Sequence, residues 1–295
     1  MTSNRGGIAP YGAATSKYLP WALRRQLALR EMRQRNTTSL EERAFYLPLA
    51  RQTTPKNDVR QICNGPIWQY WNSGREGAPE LIRKCFNSVS RWTAGREHYV
   101  LTDETIRDFI ELPPWILQKT TAIGRTHFSD ILRAYLLSRH GGTWIDASVF
   151  LSGPIDDLVD SPYFAFSRPN DPYLLSSWFM HSNPDHPIST ALADMLSIYW
   201  MKNDSLRDYF AIHYMFECGI TLHKEMRSAW LGTPVRWAEP PHWIQLNFGA
   251  NPDELTLKAA LECSPVHKLT WKFDPEMSSL LLRCLDRVEA LSPVP

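Results

Sequence analysis

Nowhere do the 295 residues contain the roughly 20 uninterrupted apolar positions that a membrane-spanning helix needs. Met1 to Tyr18 also lacks the apolar core of a secretory signal, so the sequence reads as that of a cytosolic protein. Cysteine is scarce. The five present (Cys63, Cys85, Cys218, Cys263 and Cys284) are odd in number, far apart, and free of any CxxC or Cys/His cluster. That pattern speaks against a disulfide framework or a zinc site and leaves buried, reduced thiols. Net charge is nearly absent, at +1, which argues against a dedicated nucleic-acid binder. There is no internal repeat and no low-complexity tract.

What is present is apolar content, 43%, sufficient for a full core. Charge is unevenly placed: residues 1–60 hold 11 Lys and Arg against 4 Asp and Glu, and the remainder is net acidic. The sequence therefore divides into a basic, partly helical N-terminal extension, residues 1–60, and an α/β domain, residues 61–295. "WALRRQLALREMRQR", Trp21 to Arg35, reads as a helix with five arginines and no clean apolar stripe. Two readings stay open for it: a helix packed on the domain with a solvated arginine face, or an arm that touches a membrane surface or a partner through residues 19–45.

After Gly65-Pro66, "IWQYW" has strand character, and Pro79 to Trp92 carries Leu81, Ile82, Cys85, Phe86 and Val89 at helical spacing. "EHYVLTD" reads as a second strand running into a helix capped by Thr102 or Asp103. Strand, helix, strand, helix predicts a sheet with parallel connections. The stretch "GRTHFSDILRAYLLSRHGGTWIDASVF", Gly124 to Phe150, predicts a helix whose apolar face is Phe128, Ile131, Leu132, Tyr135 and Leu136. By periodicity Asp130 and Arg133 lie off that face, as a solvated ion pair. Gly141-Gly142 stops the helix, and Thr143 to Phe150 reads as a largely buried strand interrupted by Asp146. A buried carboxylate costs several kcal/mol unless it is paired, hydrogen-bonded or metal-bound. It is either a functional acid at the carboxyl end of a strand, where ligand crevices open, or a structural one bonded to a loop.

The order Ser129-Asp130, Arg133, Leu137, Gly141-Gly142, Trp144, Ile145, Asp146 resembles the DxD sugar-transferases of glycosyltransferase family thirty-two, and most closely their capsular polysaccharide synthesis branch. "IWQYWNSG", "SSWFMHSNPDHPI", "DYFAIHYMF" and "SPVHKLTWK" are similar to further segments of that family, so the resemblance runs from about Pro66 to Lys272. It implies a GT-A fold and a retaining transfer from a nucleotide-sugar donor, UDP-hexose by preference, to a saccharide or lipid-linked acceptor. It further implies that Asp146 helps hold Mn²⁺ or Mg²⁺ under the donor diphosphate, that Asp130 bonds a sugar hydroxyl, and that Arg133 assists at the diphosphate or sugar. One departure stands out: where many relatives have Asp-x-Asp, this chain has Asp146-Ala147-Ser148, so Ser148 is at best a weak neutral ligand.

By the same resemblance His267 completes the metal shell and Lys268 neutralises phosphate. On its own spacing, a His beside a Lys is more simply surface. His213, among apolar residues, reads as a core histidine with the acceptor side as its alternative. Of the tryptophans near presumed loops, Trp68, Trp71, Trp144 and Trp178, most should be core. Trp71 is the preferred base contact and Trp144 a further donor contact. Two rival classes are a metal-dependent hydrolase and a non-catalytic carbohydrate-binding protein.

Overall fold

The computed structural model describes residues 40–56, 58–61, 65–167, 174–248 and 254–291. The helix expected over 21–35, and with it most of the basic extension, lies outside the described residues. A first helix, α1 (residues 40–50), leads into β1 (Ile67–Tyr70), α2 (Glu80–Trp92) and β2 (His98–Leu101). After a 3₁₀ turn at Ile106–Asp108 come α3 (Pro114–Gln118), α4 (Thr120–Arg139), β3 (Gly142–Ile145) and β4 (Val149–Leu151). Then follow α5 (Asp156–Val159), β5 (Tyr163–Ser167), β6 (Leu175–Ser182) and α6 (Pro187–Lys202). The chain continues with α7 (Ala211–Leu222), α8 (Lys224–Leu231), α9 (Glu239–Asn247), α10 (Glu254–Cys263), β7 (Val266–Lys268) and α11 (Pro275–Leu291).

The main sheet has the order β2-β1-β3-β6-β5. β1 pairs in parallel with both β2 and β3, as the strand–helix alternation predicts. β6 is antiparallel to both β3 and β5, so the sheet is mixed. The α/β class is as expected. Helices α4, α6 and α7 pack on one face together with α1, whose Tyr46, Leu49 and Ala50 belong to the same core. α6 is buried almost all round, from Pro187 to Trp200, and its first turn is set by Pro187 at the first helical position. Each such large apolar side chain removed from water contributes about 1.5–3 kcal/mol.

The expected buried strand over Thr143 to Phe150 is in fact two strands. β3 ends at Ile145, Asp146 to Ser148 turn, and β4 leaves to pair antiparallel with β7 in a separate two-stranded sheet. The helix expected to begin near Gly124 does so: Gly124, with φ 71°, breaks the helical path between a short stretch from Thr120 and the long run that ends at Arg139. Gly142, with φ 90°, lets β3 approach β1 closely: a Cβ there would lie 2.2 Å from the Pro66 carbonyl oxygen. In place of the expected capped helix after β2, the Thr102 hydroxyl accepts from the amides of Glu104 and Thr105 and turns the chain into the 3₁₀ segment.

Three buried histidines make stability depend on pH. Burial pushes His181 and His267 down to about 3 and His186 down to about 4, from an ordinary 6.5. The unfolded chain therefore takes up protons below about pH 6.5 that the folded chain refuses, so stability is full above that pH and is lost as pH falls toward 4. Each histidine contributes on the order of 1 kcal/mol per pH unit in that window. Urea midpoints measured at pH 7.5, 6 and 5 should fall steeply between the last two. A flat profile would mean that these rings are accessible to protons in the native state.

Candidate functional site

Because β1, β2 and β3 run in the same direction, their carboxyl ends open on one edge of the sheet, where ligand crevices form in such folds. Trp71 follows β1, Asp103 follows β2 and Asp146 follows β3. The backbone of Asp146 is fixed from both sides: its amide donates to the Trp178 carbonyl at 2.9 Å, and its carbonyl accepts from Gln69 Nε2 at 3.4 Å. The carboxylate then meets three donors. Its Oδ1 accepts from Trp144 Nε1 at 2.8 Å and from Arg133 Nη2 at 3.1 Å, and its Oδ2 accepts from Lys268 Nζ at 2.8 Å. Burial alone would raise its pKa, but the charges of Lys268 and Arg133 outweigh that and hold it below the ordinary carboxylate range.

Arg133 is where the structure corrects the periodicity most. Rather than a solvated pair on a helix surface, Arg133 is 3% and Asp130 7% exposed. The guanidinium lies 5.1 Å over the Trp144 ring, donates through Nε to the Ser129 carbonyl at 3.1 Å, and also donates to the Ser177 carbonyl. Its Nη2 spans the two acids, 3.1 Å from Asp146 Oδ1 and 3.4 Å from Asp130 Oδ1. His127, one turn earlier on α4, lies 3.3 Å from the other oxygen of Asp130. The "solvent" face of α4 is thus the wall of the site.

Lys268 arrives from β7. The register Val149↔Lys268 sets it against the start of β4, and its Nζ also donates to Ser148 Oγ at 2.8 Å. Asp130, Arg133, Asp146, Ser148 and Lys268 are therefore brought together. His267 is not. Successive residues of a strand face opposite ways, and His267 is fully buried on the far side, with Nε2 2.8 Å from Ser152 Oγ. Trp144 does not offer a ring face for a base either; it is 1% exposed, sandwiched under Arg133, and serves as a donor to Asp146. Trp68 and Trp178 are likewise core. Trp71 is half-buried against the cluster of Ala78, Ile82 and Phe86 and meets the exposed Trp271 edge to face at 6.1 Å.

Two aromatic residues at this crevice were not singled out from the sequence. Trp271 lies three residues past Lys268 and faces Trp71. Tyr209, 61% exposed, sits edge-on to His127 at 5.2 Å, on the Asp130 side. His213 on α7 packs against Phe210.

The residues do not make a good divalent-ion site. Mg²⁺, Mn²⁺ or Ca²⁺ take about six oxygen ligands. Here a single carboxylate and one hydroxyl converge, both already bonded to an ammonium, and no group of three or more His, Cys, Asp or Glu that could hold a metal exists among the described residues. A hollow of about 730 Å³ elsewhere is rimmed by Lys56, Arg60, Arg107 and Arg139, but acids are interspersed and Lys56 and Arg60 already pair with Asp185. Among the described residues no helix is long and apolar enough to cross a membrane.

No curated protein matches the chain. Eight solved chains do, among them one titled "PaToxG Glycosyltransferase", 13% identical, covering 90% of this chain and 99% of that one, with a TM-score of 0.39; a likeness at that level carries no argument about function. The family comparison is far more extensive. Its match runs over residues 24–282, from before α1 into α11, and takes in every residue of the site described above, so the chain belongs to the family described as capsular polysaccharide synthesis protein.

Proposed function

We propose that this protein is a glycosyltransferase of surface-polysaccharide synthesis, moving a sugar from a nucleotide-sugar donor, UDP-hexose by preference, to a saccharide or lipid-linked acceptor. The observation that carries the reading is the Arg133–Asp146–Lys268 set at the carboxyl ends of parallel strands. Membership in a capsular synthesis family and the resemblance of "SD–x2–R…GG–x–W–I–D" to the DxD transferases, with the GT-A fold they imply, support it.

In this reading the base packs at Trp71, with Trp271 beside it. The diphosphate lies over Lys268 and Arg133, and Asp130 takes a hydroxyl of the donor sugar. Asp146 holds the two cations in place. An Asp whose charge is stabilised by both neighbours is a poor general base. That favours a retaining transfer in which the departing phosphate takes the acceptor proton and the new bond keeps the donor configuration. The protein's contribution is positioning and electrostatic stabilisation of the leaving diphosphate. Tyr209, exposed on the Asp130 side, offers a ring face to the acceptor sugar.

A thermal-shift panel of nucleotides and nucleotide sugars tests this reading, because a ligand that favours the folded form raises Tm. A rise with one nucleotide sugar, followed by release of its nucleotide when acceptor is added, is the expected result. No response from any member of the panel would overturn the reading. Asp130→Ala should weaken binding of the nucleotide sugar by about tenfold, the worth of a charged hydrogen bond, while leaving the free nucleoside diphosphate within about twofold. Equal weakening of both would remove Asp130 from the sugar.

A further inference from the structure

We infer that Lys268 is a built-in counter-cation, and that this protein binds the diphosphate of its donor without a divalent metal ion. The inference rests on the nucleotide-sugar reading above and deepens it.

Its basis is where the ammonium sits. Lys268 Nζ lies 2.8 Å from Asp146 Oδ2 and 2.8 Å from Ser148 Oγ. It therefore occupies the point on which the first and third residues of the acidic turn converge. The other oxygen of Asp146 is taken by Trp144 and Arg133, so three of the roughly four lone pairs of the carboxylate already accept from protein donors. His267, the nitrogen ligand next to Lys268 in the chain, is on the opposite face of β7 and bonded to Ser152, and His127 is turned to Asp130.

The charges point the same way. Two carboxylates around a divalent ion sum to zero before any ligand binds; one carboxylate beside one ammonium does so as well. Serine at 148 and lysine at 268 thus read as a matched pair: an Asp at 148 would leave this ammonium outnumbered, and a divalent ion added to Asp146 and Lys268 would meet repulsion at once. An ammonium has three N–H groups. Two are used in the turn, which leaves one for a diphosphate oxygen, and the 16% side-chain exposure of Lys268 keeps that route open to the crevice. Arg133, 3.1 Å from the same carboxylate, adds a second positive charge from the α4 side.

The test uses the full-length protein and calorimetric titration with UDP, GDP, ADP and CDP, each in EDTA and in Mn²⁺, together with MnCl₂ alone. One diphosphate should bind with affinities that agree within about threefold in the two conditions, and MnCl₂ alone should give no saturable binding. Lys268→Met should weaken that diphosphate roughly 10- to 100-fold in EDTA, as loss of one charged hydrogen bond requires. The double variant Ser148→Asp/Lys268→Ala should bind it only when Mn²⁺ is present. Wild-type binding that falls about tenfold or more in EDTA would overturn the inference while leaving the nucleotide-sugar reading intact. If none of the four diphosphates binds in either condition, that reading falls and the inference with it. The wild-type comparison needs no variant, so it decides even if a substitution at Lys268 impairs folding.

Discussion

Asp146→Asn should leave sugar transfer lower by at least about 100- to 1000-fold, measured with whichever nucleotide sugar the wild-type protein turns over. The amide keeps the shape of the carboxylate and can still accept from the Trp144 indole, but it has no charge with which to gather Arg133 and Lys268, 3.1 and 2.8 Å away. Lys268 would then be free to swing toward bulk water, Arg133 would keep only its bonds to Asp130, Ser129 and Ser177, and the diphosphate would lose a prearranged site. A stability cost accompanies this, since two positive groups lose a shared partner; about 1–3 kcal/mol is the scale for a charged hydrogen bond left unmade. Turnover within about tenfold of wild type would remove Asp146 from the centre of the mechanism. Activity of the wild-type protein should not fall on account of this group until pH is below the ordinary carboxylate range, because its pKa is held down there.

The largest effect on folding is expected at Arg133. Its side chain is 4% exposed and makes every polar contact inside the protein, to Asp130, Asp146, Ser129 and Ser177. Arg133→Met keeps most of the apolar stem but strips Asp130 of its arginine and leaves Asp146 with Lys268 alone, and an uncompensated buried charge of this kind costs about 3–5 kcal/mol. Urea denaturation measures the cost. The discriminating comparison is the double variant Arg133→Met/Asp130→Asn: with one of the stranded charges removed, it should be more stable than Arg133→Met alone. A double variant that is simply the sum of two losses would show that Arg133 acts through packing on Trp144 rather than by holding the acids. Arg133→Lys retains the charge but not the planar fork that spans Asp130 and Asp146, so it should recover part of the stability and little of the activity.

Several features of this site are legible along the chain and others are not, and the difference is physical. Asp146 stands out because an acid amid "GGTWI…SVF" has no apolar reason to be there, and Gly141-Gly142 marks the turn that feeds its strand. The strands at 67–70 and 98–101 follow from aromatic and β-branched runs bounded by turn residues. Asp130 and Arg133 escape the pattern because a helix period separates core from non-core faces and cannot tell bulk solvent from a crevice; both lie off the apolar stripe and yet are buried. The break of Thr143 to Phe150 into β3 and β4 is invisible to hydropathy, since both halves are apolar and only the Asp146–Ser148 turn divides them. Residue type alone sends both His267 and Lys268 to the site, and only the strand period separates them. Once the segment is a strand, adjacent residues must part company. Tyr209 carries no local signal at all; its place is set by the packing of α7 against α6.

The pairing of β4 with β7 also has a consequence for biosynthesis. Lys268 lies 122 residues beyond Asp146 in the chain and reaches it through a three-residue ladder. A domain emerging amino end first can assemble β1, β2, β3 and α4 long before that strand exists. The nascent chain therefore carries an acid with one of its two cationic partners, and it stays incompetent until β7 has left the ribosome. A shift of one position when β7 docks would turn Lys268 away and swing His267 inward, giving a folded protein with a dead site. Fidelity at that late step rests on the apolar side chains around the ladder, among them Val266 and Leu269, which are buried in the correct register.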